Sequence, residues 1–179
     1  MSQGARLQNP IQRITILVSC SIFLVSFFGC LGYKFSQVSI PPEIKTIRVQ
    51  LLENKARYIN PQLSPQLTER LRQKINSQTK LTQVNNENAD YDISGYISAY
   101  DVSTSGISNQ QVATNRLTVS VNVVVLDRKT ANKEPKNITA SRSFDFSATL
   151  TLPQAEQRLQ DDIIRNLTDE IFNKIFSDW

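Results

Sequence analysis

The sequence predicts an α+β fold. It is a two-layer sandwich of order β-α-β-β-β-α, with two helices packed on one face of a roughly four-stranded, mainly antiparallel sheet. Three observations predict it. Two stretches, near 64–75 and 153–176, repeat apolar residues every four positions, the spacing of one helix face. Four other stretches alternate apolar with polar residues, the period of a half-buried strand. One apolar face per strand suits a sheet covered on one side only, and two apolar helix stripes supply the cover.

The elements follow in chain order. Ser36 to Glu43 contains Pro41-Pro42 and reads as an extended lead-in. Ile47, Val49 and Leu51 alternate with Thr46, Arg48 and Gln50 as a first strand. Ser64 before Pro65 reads as a helix N-cap followed by proline at the first helical position. Leu67, Leu71 and Ile75 then form the buried stripe, with Arg70, Arg72 and Lys74 expected in solvent. From Tyr91 the period changes to two, with Tyr91, Ile93, Gly95, Ile97 and Ala99 on one face. A connection rich in Ser, Thr, Gly, Asn and Gln leads to the cleanest strand, Leu117, Val119, Val121, Val123 and Val125. A polar, mostly basic turn, Asp127 to Asn137, precedes a strand facing inward with Ile138, Ala140, Phe144 and Phe146, interrupted by Arg142. Pro153 opens the last helix, striped by Ala155, Leu159, Ile163, Leu167, Ile171 and Ile175 and widened by Ile164, Phe172 and Phe176.

The first thirty residues have a different character. Met1 to Arg13 is polar with two arginines, and Ile14 to Phe28 runs without a charge up to Gly29-Cys30. A positive start, an apolar core and a small residue at its end describe a secretory signal peptide over residues 1–29. The small residue before cysteine resembles a lipobox, which makes Cys30 the expected lipidation site. Cys20 follows a better four-letter match, but cleavage there would leave a core of only Ile14 to Ser19. An uncleaved anchor is the other reading, because extension through Gly32 nearly reaches the ~20 apolar residues of a membrane span. The expected organisation is therefore signal peptide 1–29, lipidated lead-in 30–44 and an α+β domain over 45–179.

Composition narrows the function. The formal charge of +4 falls to +2 without the two arginines of the leader, too little to argue for nucleic-acid binding. The chain has no histidine, so the commonest general base and metal ligand are both missing. Two cysteines, both in the N-terminal apolar region, cannot build a structural zinc site. Gly95-Tyr96-Ile97-Ser98-Ala99 lacks the second glycine of a nucleophile elbow, and five scattered glycines form no phosphate loop. No catalytic residue, metal or cofactor is expected, and the chain does not read as an enzyme.

Several segments together resemble the LptE-like lipopolysaccharide-assembly lipoproteins over nearly all of the chain beyond Cys30. They are Gly29-Cys30-Leu31-Gly32-Tyr33-Lys34-Phe35, Ser39-Ile40-Pro41-Pro42-Glu43-Ile44-Lys45-Thr46-Ile47 and Asn60-Pro61-Gln62-Leu63-Ser64. Asn115-Arg116-Leu117-Thr118-Val119 and Asp169-Glu170-Ile171-Phe172-Asn173-Lys174 complete the set, and their order and spacing carry the likeness. The resemblance implies an outer-membrane lipoprotein facing the periplasm, plugged inside the LptD β-barrel of the lipopolysaccharide translocon. There it would assist barrel assembly and pass lipopolysaccharide to the outer leaflet. Leu31, in place of an aspartate after the lipidated cysteine, agrees with outer-membrane sorting. Lipopolysaccharide carries phosphates that cations can pair. Arg116, Arg128, Lys129, Lys133 and Lys136, on or near the hairpin joining the last two strands, are the candidate contacts, with an ordinary solvated basic turn as the alternative. The competing function is a free periplasm-facing lipoprotein that binds lipid or glycan, which would need an apolar pocket between sheet and helices.

Overall fold

The computed structural model describes residues 40–108, 111–130 and 134–176, all within a unit running Val38–Trp179. The elements are β1 (Thr46–Val49), β2 (Glu53–Asn54), α1 (Leu63–Gln78), β3 (Thr82–Gln83), β4 (Tyr91–Ser108), β5 (Gln111–Asp127), β6 (Lys136–Ser147) and α2 (Leu152–Phe176). The expected α+β class holds. Two very short strands, β2 and β3, are additions that periodicity had no length to reveal.

The sheet runs β3-β1-β4-β5-β6, with β2 also on β4. The three long strands are antiparallel, while β1 lies parallel to both β3 and β4, and β2 parallel to β4. Helix α1 lies between β1 and β3 in sequence, the crossover that a parallel pair requires. Ile47, Ile93, Ile97, Leu117, Val119 and Val121 point from the sheet into the core. Leu67, Leu71 and Ile75 of α1 meet them with Ile163, Leu167 and Ile171 of α2, all of them closed to solvent. At ~25 cal/mol per Å² of apolar surface removed from water, this layer is the main stabilising term.

Local differences from the sequence reading have identifiable causes. Helix α1 begins at Leu63, so Ser64 is inside its first turn and is buried. Its hydroxyl donates to the Leu52 carbonyl at 2.6 Å, and the Thr68 hydroxyl accepts the Leu52 N–H at 3.0 Å. The chain before the helix turns on Asn60 instead, whose side-chain oxygen accepts the Gln62 N–H at 3.0 Å. Arg72 and Lys74 are not free in solvent. The Arg72 guanidinium donates to the Val49 carbonyl, and Lys74 pairs with Asp169 of α2 at 2.8 Å. At the start of α2, the Gln154 side chain accepts the Thr151 N–H at 3.0 Å, one half of a capping box.

The alternation in β4 breaks at a bulge between Ile97 and Ala99. Ser98 is the extra residue, and the inward position passes from Ala99 to Tyr100, which is buried. The polar stretch expected to be a connection is ladder: β4 and β5 remain paired from Thr104↔Asn115 out to Ser108↔Gln111.

Candidate functional site

The sheet face away from the helices is built from the polar half of each alternation. Register places Tyr96 opposite Asn122 and Asn122 opposite Thr139, then Ser120 opposite Ser141 and Thr118 opposite Ser143. These pairs bond across the strands. Thr118 and Ser143 hydroxyls lie 2.9 Å apart, as do those of Ser120 and Ser141. Thr139 donates to the Asn122 oxygen at 2.9 Å, and the Asn122 amide donates to the Tyr96 hydroxyl at 3.3 Å. Each hydroxyl keeps hydrogen-bonding capacity toward solvent. The result is a hydrogen-bonding plane, uncharged on β5 and β6 between Thr118 and Asn122, with the exposed Asp101 of β4 beside Thr118.

Charge closes both ends of this plane. At one end Asp92, nearly closed to solvent, binds Arg48 through two hydrogen bonds at 2.9 and 2.8 Å. Gln50 at 3.0 Å and Arg128 at 3.0 Å complete its shell. Burial pushes the Asp92 carboxyl up, but hydrogen bonds from Arg48, Gln50 and Arg128 outweigh it and hold the group at about 2. Beside it, Asp90 accepts the backbone N–H groups of Lys45 and Thr46 at 2.8 and 2.9 Å. Those two bonds are the main reason that it too titrates at about 2. At the other end Arg116 grips Asp145 at 2.7 and 2.9 Å, which lowers the carboxyl and raises the guanidinium.

The cations singled out from sequence therefore fall in two places. Arg116 lies within the first half of β5 and Arg128 just past its end, roughly 40 Å apart along the strand at ~3.4 Å per residue. Arg128 and Lys129 follow β5, and Lys136 opens β6, so these three share one end of the sheet. Each has a partner within the fold. Arg128 holds Asp92, Lys129 holds Asp90 at 3.3 Å, and Lys136 donates to the Ile175 carbonyl near the end of α2 at 3.4 Å. Arg128 and Lys129 remain about half open to solvent, at 41% and 52%. Lys133 and Cys30 lie outside the described residues.

Three features went unread in the sequence. Asp90 and Asp92 organise the charged end, yet Asp90-Tyr91-Asp92 looks like ordinary strand-edge polarity. Arg142 interrupts an apolar face because it reaches α2, meeting Glu170 at 2.6 Å, and Lys174 meets the same carboxylate at 2.8 Å. Glu156 near the start of α2 accepts hydrogen bonds from Tyr58, Asn60 and Tyr100, the last at 2.7 Å. Burial, then the bond to Glu156, raises the Tyr100 hydroxyl well above its ordinary range.

A groove of about 600 Å³ runs between α1 and α2. It is open, and Gln66, Glu69, Arg70, Gln73, Asp161 and Arg165 give it a polar lining. Among the described residues no group of histidine, cysteine and carboxylates is arranged to hold a metal, and no helix is long and apolar enough to cross a membrane.

The domain is a two-layer sandwich with helices on one face and a polar, hydroxyl-lined plane on the other. The chain belongs to the LptE lipopolysaccharide-assembly family, whose model matches residues 44–175. The family is non-catalytic. Rare lipoprotein B from Shewanella oneidensis has the same fold, with a TM-score of 0.51 at 16% identity over 73% of this chain and 93% of that one. Lipoprotein B from Nitrosomonas europaea aligns with a TM-score of 0.46 at 17% identity, covering 81% of this chain and 88% of that one. No protein of curated function matches the chain in sequence.

Proposed function

We propose that the protein is an outer-membrane lipoprotein subunit of the lipopolysaccharide translocon. On this reading residues 1–29 are removed as a signal peptide, and Cys30 carries the lipid. Residues 30–44 lead into a domain spanning 45–179 that plugs an LptD-like β-barrel, helps it assemble and helps deliver lipopolysaccharide to the outer leaflet. The family match over residues 44–175 carries the reading. The hydroxyl-lined plane supports it, because the lumen of a large barrel is polar and water-compatible. Acyl chains on Cys30 would contribute ~0.8 kcal/mol per buried CH₂, enough together for stable anchoring.

Direct contact with lipopolysaccharide phosphates is assigned to Arg128, Lys129, Lys133 and Lys136 at the turn between β5 and β6. Arg128 and Lys129 each hold one carboxylate yet keep donors facing outward, so a phosphate can join without breaking the existing pair. Arg116 would be a separate contact at the far end of the sheet. The competing reading, a free carrier with an apolar pocket between sheet and helices, gains no support, since fully buried side chains fill that space.

Detergent extraction of the tagged protein from its native membrane tests the proposal. Mass spectrometry should find an acylated N-terminal Cys30 and a large outer-membrane barrel protein in near-equal amount. Isolation of the lipoprotein alone, or acylation at Cys20, would overturn the corresponding part.

A further inference from the structure

Helices α1 and α2 run parallel, and three ties set their register. Asn60, just ahead of α1, donates to Glu156 at 3.1 Å. The Gln160 amide donates to Gln66 at 2.6 Å, and Lys74 pairs with Asp169 at 2.8 Å. The open groove of about 600 Å³ lies along this stretch. Midway between the last two ties, Arg70 of α1 stands level with Arg165 of α2, and both line the groove. Asp161 lines it too, about one helical turn (~5.4 Å) nearer the start of α2. Ile164, nearly closed to solvent, lies at its base.

Exposed charges on a helix ordinarily pair along their own helix or stay hydrated. Asp161 and Arg165 have the four-residue spacing of such a pair, but Arg165 donates to Asp162 instead. Glu69 is engaged along α1, accepting from Gln73 at 3.2 Å and facing Arg72 at 4.0 Å. Arg70 and Asp161 remain. Neither side chain has a hydrogen bond or ion pair among the described residues, although both line one groove. The four charges that line it, Glu69, Arg70, Asp161 and Arg165, sum to zero. Such a groove favours neither a bare anion nor a bare cation; it matches a ligand that carries both charges.

We propose that the groove between α1 and α2 binds a phosphodiester-linked ethanolamine, free or as the headgroup of a lipid. The phosphate lies between Arg70 and Arg165, and the ammonium lies against Asp161. Arg70 offers a whole guanidinium, and Arg165 keeps donors that its bond to Asp162 does not use. A phosphodiester has two unesterified oxygens, one for the guanidinium of each wall, whereas the planar pair of a carboxylate suits a single arginine fork. The two carbons of ethanolamine cover about the one helical turn that separates Arg165 from Asp161. Ile164 gives those carbons an apolar base. The site uses neither the sheet face nor the turn between β5 and β6. It goes beyond the translocon reading and stands or falls without it.

The test is calorimetric titration of the full chain, in non-ionic detergent, with glycerophosphoethanolamine. Glycerol phosphate lacks the ammonium, and the methylated amine of glycerophosphocholine has no donor; each should bind roughly tenfold more weakly or worse. Arg70→Ala should weaken glycerophosphoethanolamine by roughly tenfold. Asp161→Asn should cost it about as much, yet should not weaken glycerol phosphate. Lys80→Ala, at an exposed cation outside the groove, should change nothing. All three positions are exposed, so the variants should unfold at the wild-type temperature. Dihexanoyl phosphatidylethanolamine binding as well as the soluble molecule would give the site to a lipid headgroup, and its rejection would give the site to a soluble ligand; either supports the assigned chemistry. Absent binding, glycerol phosphate bound equally well, or indifference to Arg70→Ala or Asp161→Asn would each overturn the proposal. Self-association that Arg70→Ala abolishes would also overturn it, by giving the groove to a second copy of this chain.

Discussion

Asp92 shows how one buried carboxylate can secure an end of the sheet. Its partners come from β1, from the residue after β1 and from the turn after β5, so its removal loosens three places together. Asp92→Asn should destabilise the fold by about 1–3 kcal/mol in chemical denaturation, because Arg48 is left without its main acceptor. Asp90 and Asp92 both titrate near 2, below the ordinary 3.8. A depressed carboxyl stabilises the fold fully above its unfolded value, and that contribution is lost as pH falls through the folded one. Stability should therefore fall steeply between about pH 4 and pH 2, and the fall should be shallower in Asp92→Asn. Two buried threonines give a sharper contrast. The Thr68 hydroxyl has partners on both sides, whereas that of Thr168, equally buried, has none among the described residues. Thr68→Val should cost about 1–3 kcal/mol, while Thr168→Val should be neutral or stabilising by about 1 kcal/mol. Thermal unfolding of the pair decides it, and equal losses would sink the distinction.

At the level of elements, periodicity recovered both helices and the inward faces of β5 and β6, where burial follows the spacing except that Phe144 and Leu159 are only partly buried. It failed where one residue changes the phase. The Ser98 bulge transfers the core position to Tyr100, and no local composition announces it. The extension of β4 and β5 was hidden as well, because Ser, Thr, Gly and Asn are turn formers whose pairing here depends on the neighbouring strand. The charged cluster was legible as residues but not as geometry, for strand length alone separates Arg116 from Arg128. Gly95 marks a close approach that pattern could not show. A Cβ there would collide with the Asn122 carbonyl and lie 3.1 Å from both Leu52 and Val123. Backbone cannot yield as a side-chain tip does, so Gly95→Ala should destabilise the fold by about 1–3 kcal/mol, measured by denaturant midpoint. A wild-type midpoint would show that β4 and β5 can separate without cost.

Across the whole molecule, the two proposed contacts differ in physical kind and can be separated by salt. The hydroxyl plane on β5 and β6 is uncharged between Thr118 and Asn122, so a barrel wall resting there is held mainly by hydrogen bonds and shape. The turn carrying Arg128 and Lys129 is cationic, so its pairing with phosphate is electrostatic. At about 1 M salt the Debye length shrinks to ~3 Å, and exposed charge pairs weaken far more than neutral contacts. A complex with the barrel should therefore survive a high-salt wash, while lipopolysaccharide binding to the extracted protein should fall with rising salt. Arg128→Ala with Lys129→Ala should flatten that salt dependence, because the charges that salt screens are then absent. Arg116→Ala should change it less, since the Arg116 fork is already filled by Asp145. A barrel lost in high salt would place the interface on the charged end rather than on the plane, and undiminished lipid binding by the double variant would remove the phosphate contact from that turn.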